Sequence, residues 1–197
     1  MEETLLKSLA WTDSRLGLLF CLFIPLVLLI WAAKQQIPSI LRLLIIYWRV
    51  ASLWMITVYL LIPVWQIGYL TGLASRILIL ISLWFWVDIN DEIRDLPKSK
   101  LKLGITSWRW AMTLYCTLGA IANVFFVSCA FAPDATAQTH CQVWLQIPWQ
   151  YKAFMHPHAT TGFLGFLGMT GLIIYLIYFF YFLLFRLIKQ GRIALEQ

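Results

Sequence analysis

Residues 16–33 read LGLLFCLFIPLVLLIWAA, eighteen positions without a single Asp, Glu, Lys, Arg or His. A bilayer core of about 30 Å needs about 20 helical residues to cross it, so this run is long enough to span. Similar runs follow along the chain, and they set its class. Of 197 residues, 61% are apolar and 12% charged, where soluble domains carry about 25% charged residues. Mean hydropathy is +0.78. These values exclude a soluble enzyme, a disordered tail and a secreted disulfide scaffold. The runs are continuous rather than alternating, which argues against a membrane β-barrel. The expected fold is all-α: one integral membrane domain over 1–197, a polytopic bundle of five transmembrane helices.

The expected spans are about 16–33, 43–66, 69–87, 107–132 and 159–188. Residues 1–15 read as a separate amphipathic helix on the membrane surface, with Leu5, Leu6, Leu9 and Ala10 on its apolar face. Its acids Glu2, Glu3 and Asp13, and the poor cleavage site Trp31-Ala32-Ala33-Lys34, favour a retained helix over a signal peptide. Pro25 is expected to kink the first span. The third run contains Arg76. An arginine near a helix end can snorkel to the headgroups, so Arg76 reads as a boundary marker. If that run is re-entrant, four spans remain. Residues 133–158 read as a polar loop, and 88–109 as the most polar segment of the chain.

With five spans, Lys7, Arg15, Arg76 and Lys152 fall on the N-terminal side. Lys34, Arg42, Arg49, Arg94, Lys98, Lys100, Lys102, Arg109, Arg186, Lys189 and Arg192 fall on the other. The positive-inside rule then makes 88–109 and the C-terminus cytoplasmic, and the four-span alternative does the same. The net charge of +6 therefore speaks for orientation and anionic lipid, and not for nucleic acid.

Four groups of residues invite a chemical reading. Asp88, Asp91, Glu92 and Asp95 recur at i, i+3, i+4 and i+7, one face of a helix. Such a face can hold Mg²⁺ against a diphosphate, or cap a helix as it leaves the bilayer. Asn90-Asp91…Asp95 resembles the aspartate-rich motif of membrane prenyltransferases. Those enzymes carry a second such motif, whereas only Asp134 and Glu196 follow Asp95 here. His156 and His158 open the last span, where one neutral imidazole could ligate haem iron or chlorophyll magnesium, or simply hydrogen-bond at the interface. Gly162, Gly165, Gly168 and Gly171 thin the last helix, and Asn123 sits in a small-residue patch of the fourth; both read as packing or partner surfaces. Cys21 and Cys116 read as packing residues, and Cys129 with Cys141 as a disulfide candidate on the outer side. The eleven Trp fit interfacial belts.

YWRVASLW (47–54), DINDEI (88–93) and HPHATTG (156–162) together resemble an uncharacterised family of about-200-residue membrane proteins of cyanobacteria. The resemblance implies a thylakoid or plasma membrane and an accessory role near photosystem II assembly. It brings no catalytic residues. The expectation is a non-enzymatic accessory factor, in contact with membrane lipids, that docks to a larger photosynthetic complex such as photosystem II subunits. The alternatives are a pigment or haem carrier using His156 or His158, and a Mg-dependent prenyl-diphosphate enzyme using Asp88, Asp91 and Asp95. A transporter is disfavoured because no span shows an ionisable pair at its midplane.

Overall fold

The structure is a computed structural model that describes residues 2–132, 137–188 and 191–194. Lys189, Asp134 and Glu196 lie outside the described residues. Among the described residues there is no strand. Five helices are long and apolar enough to cross a membrane: α1 (Thr4–Gln35), α2 (Pro38–Leu61), α3 (Ile67–Trp84), α5 (Lys100–Ala130) and α7 (Thr161–Phe185). Two shorter helices complete the chain, α4 (Val87–Asp95) and α6 (Thr139–Met155). The spans alternate in direction. Residues 62–66, 131–132 and 137–138 and helix α6 lie on the N-terminal face; α4 and residues 191–194 lie on the opposite face.

Several boundaries differ from expectation, each for a physical reason. Residues 4–15 are not a separate surface helix but continue into the first span, because Ala10 and Asp13 are drawn against the bundle. Pro25 produces no break. A π-helical stretch, Leu18–Phe23, precedes it, and Pro25 falls in the first turn of the α-helix that follows. A proline has no N–H to give the carbonyl four residues back. That carbonyl, on Cys21, accepts instead from the Tyr47 hydroxyl at 2.8 Å, and the Phe20 carbonyl accepts from Trp108 Nε1 at 2.9 Å. The second span ends at Leu61 rather than 66, where Pro63 ends the hydrogen-bond ladder and Val64 takes φ 64°. The third run is a full helix, which sets aside a re-entrant segment. The fourth span starts at Lys100 rather than 107, because the Ser99 hydroxyl caps it by accepting from the Lys102 N–H at 3.1 Å.

α3 lies at the centre and α7 at the edge: the most apolar window of α3 is 44% buried and that of α7 only 11%. α2 packs between α3 and α7, α5 packs on α3 and α1, and α6 lies against α1. The main core forms in the half nearer α4, around Tyr47, Leu83, Ile89, Leu101, Ile105 and Met112. Lipid-facing sides are mostly apolar, as with Leu114, Leu118 and Ile121 on α5 and Phe166, Ile174 and Ile177 on α7.

The glycines of α7 meet α2. A Cβ on Gly165 would stand 2.7 Å from Pro63 Cγ, one on Gly168 would stand 3.1 Å from the Leu60 backbone nitrogen, and one on Gly171 would stand 3.3 Å from Ile56; Gly162 meets nothing. Backbone cannot yield as a side-chain tip can, so Gly168 sets how closely the two helices approach. Gly168→Val is therefore expected to cost about 1–3 kcal/mol of stability through overpacking. Gly162→Ala is expected to cost almost nothing. Thermal unfolding of both variants in mild detergent checks this.

Candidate functional site

Arg76 is not at a boundary. It lies nine residues after Ile67 and eight before Trp84, roughly 13 Å from either end of α3. The residue is only 3% exposed. An arginine at that depth needs a counter-charge and hydrogen-bond acceptors, since an unpaired ion in hydrocarbon is costly. Asp13 of α1 supplies the charge: Arg76 Nη2 donates to Asp13 Oδ2 at 2.5 Å. Tyr115 of α5 braces the pair. Its hydroxyl donates to the Asp13 carbonyl at 3.1 Å, and its ring centroid lies 5.1 Å from Arg76 Cζ. Gly119, one turn further along α5, makes the space. A Cβ there would collide with Arg76 Nη1, which itself has no hydrogen-bond partner.

The ion pair forms the floor of a chamber of about 420 Å³. Asn123, itself 5% exposed, lines it one turn beyond Gly119. Aromatic walls rise from Trp54 on α2 and from Trp144 and Tyr151 on α6. The polar floor and apolar walls are the usual make-up of a site for a small amphiphile.

α6 closes the chamber from the N-terminal face and replaces most of the expected polar loop. It contains a buried proline, Pro148, yet remains helical. It is tied down along its length. A disulfide joins Cys129 to Cys141. The Tyr69 hydroxyl donates to the Cys141 carbonyl at 3.3 Å, and Trp149 Nε1 donates to the Ile62 carbonyl at 3.1 Å. Gln66 Nε2 donates to the Ala132 carbonyl nearby. Burial and a hydrogen bond with Tyr59 push the Tyr151 phenol up to about 12, so it stays a neutral wall of the chamber.

The other sequence candidates are distributed elsewhere. His156, just past α6, shares a 2.8 Å hydrogen bond between its Nε2 and the Tyr59 hydroxyl, while His158 is exposed. Asp88, Asp91 and Asp95 lie on α4 and do not converge. Asp88 Oδ2 accepts from the Ala194 N–H at 2.9 Å, and Arg94 lies 3.0 Å from Asp91 and 3.8 Å from Asp95. Among the described residues, the one group close enough to share a metal ion is Cys129, His140 and Cys141, and its two sulfurs are bonded to each other. Cys21 and Cys116 are free and buried. Arg109 is not in a solvated loop. It is buried inside α5, where Nη2 donates to the Leu83 carbonyl at 2.5 Å and to Asn90 Oδ1, with the Trp84 ring 4.1 Å from Cζ.

Sequence reasoning missed Asp13 and Tyr115, and read Gly119 only as part of the small-residue packing patch around Asn123. A usable signal was present: Arg76 is the one base in a long apolar run, and Asp13 is the acid of the head nearest the first apolar run. Removing one partner of a buried pair leaves an uncompensated charge. Asp13→Leu is thus expected to destabilise by about 3–5 kcal/mol, and Asp13→Leu/Arg76→Met by much less. Unfolding of the single and double variants in detergent, set against Arg76→Met alone, measures the coupling.

No curated protein and no solved structure matches the chain. A family model described as "Protein of unknown function (DUF3177)" matches residues 7–195. The match runs from the head of α1 to the end of the described chain, taking in every element that builds the chamber, and so this membrane protein belongs to that family.

Proposed function

We propose that this protein is a non-enzymatic accessory of the membrane: it holds an uncharged amphiphile in the chamber and docks beside a larger membrane complex. The observation that carries the reading is the chamber floor. Arg76 and Asp13 cancel each other's charge. A charged head would have to break that pair or enter unpaired, and both are costly in a low-dielectric site. A carbonyl or hydroxyl head would instead find the Asn123 amide and the second carboxylate oxygen of Asp13, and aromatic walls to lie against. A quinone or an acylglycerol has this chemistry.

The docking half of the proposal draws on the exposed aromatic face of α7, with Phe163, Phe166, Phe180 and Tyr181 turned outward. Placement in a cyanobacterial photosynthetic membrane, and work on photosystem II assembly, belong to the same proposal and draw on the sequence resemblance alone. The cytoplasmic side is assigned to α4 and the C-terminal end, where most of the Lys and Arg residues lie.

The test is direct. Protein purified in mild detergent is extracted with organic solvent, and the extract is analysed by mass spectrometry. A neutral amphiphile in near-stoichiometric amount is expected. A short-chain benzoquinone should also quench Trp54 and Trp144 fluorescence, with affinity roughly tenfold weaker in Asn123→Leu, the cost of one lost hydrogen bond. An extract with no amphiphile, together with a variant that binds the quinone as well as the parent, overturns the reading.

A further inference from the structure

A second cavity, independent of the chamber, opens between α2, α3 and α7 toward the face that carries α4. It measures about 210 Å³, and Leu78, Phe85, Tyr175 and Phe182 line it. Arg49 stands in its wall, exposed, about two helical turns deeper than Arg42. The two arginines differ in their partners. Arg42 has a carboxylate, since its Nη2 lies 2.5 Å from Glu92 Oε2. Among the described residues Arg49 has no carboxylate, and its one hydrogen bond runs from Nη1 to the Tyr178 hydroxyl at 3.2 Å. Arg192 does not line the groove but lies against Phe85, which does. Its Nε donates to the Phe85 carbonyl at 3.0 Å, its Cζ lies 5.2 Å from the Phe85 ring, and it too lacks a carboxylate among the described residues.

A guanidinium exposed to hydrocarbon leaves most of its donors unsatisfied, and an anion must come from somewhere. The groove runs from Arg49 to residues at the end of α3 and of α7, so a side chain reaching along it toward that face meets lipid headgroups as the available anions. We infer that the groove is a binding site for one anionic glycerolipid. Its phosphate sits between Arg49, the Tyr178 hydroxyl and Arg192, and an acyl chain lies along Leu78, Tyr175 and Phe182. Two positive charges without a carboxylate partner among the described residues, beside an apolar trough, match such a lipid in both sign and shape. A zwitterionic lipid brings its own ammonium into the same space and loses that advantage.

The experiment uses the full chain in detergent, with added phosphatidylglycerol or phosphatidylcholine, and reads the unfolding temperature and lipid adducts by native mass spectrometry. Phosphatidylglycerol is expected to raise the unfolding temperature and to survive as a single adduct, and phosphatidylcholine to do neither. Arg49→Gln should lose the preference, Arg49→Lys should keep part of it, and Tyr178→Phe should weaken it. Arg94→Gln on the exposed face of α4 should leave it intact, as should Asn123→Leu in the separate chamber. Equal stabilisation of the unaltered protein by both lipids overturns the inference, whatever the variants do. So does an unchanged preference in Arg49→Gln.

Discussion

A guanidinium held in the middle of a hydrocarbon slab constrains everything around it. Arg76 obliges Asp13 to be within reach, and this explains why the polar head of the chain enters the bundle instead of lying on the surface. It also obliges α5 to carry glycine at 119 and leaves Tyr115 to shield the pair. A simpler bundle would place leucine or methionine at both positions, and buried ion pairs are seldom favourable compared with well-packed apolar groups. Retention of the pair at the floor of a chamber therefore speaks for a role beyond stability.

The two membrane faces are held by different chemistry. On the N-terminal face, a disulfide and the hydrogen bonds Tyr69–Cys141 and Trp149–Ile62 tie α6 to the ends of α5, α3 and α2, and Gln66 joins the α2–α3 connection to Ala132 after α5. On the opposite face, ion pairs and chain-end contacts take over. Arg42 binds Glu92, Asp88 accepts from the Ala194 N–H, and the Val87 N–H donates to the Arg192 carbonyl at 3.2 Å. Within the acidic face of α4 that invited a metal reading, Asp88 thus holds residue 194 and Glu92 holds Arg42. The glycine row of α7 is likewise used within the molecule, by α2.

The membrane class and the existence of each span were legible because long apolar runs have few other fates. Span ends were less legible. Lys100, Lys102 and Arg109 look like loop residues, yet Lys102 Nζ reaches the Arg94 and Leu96 carbonyls at 2.6 Å, and Arg109 is roofed by Trp84. α6 was hidden because Pro148 and the polar residues of 139–155 resemble a loop, while its stability comes from contacts far away in sequence. The chamber was invisible for the same reason. Its floor joins residues 13, 76 and 123, and hydropathy has no means of pairing them. Arg76 itself stood out, but depth in a membrane is a tertiary property: an arginine ten residues into a short span reads as an edge until the neighbouring helices are in place.

The Asp13–Arg76 contact also orders events during synthesis. The two residues are 63 positions apart, so the carboxylate leaves the ribosome before its cation exists, and the chain is made over seconds. Until α3 follows, the first helix carries a charge that the lipid interior rejects, and its upper part belongs at the water interface. The N-terminal segment is therefore expected to reach its final depth only after the third crossing has been laid down.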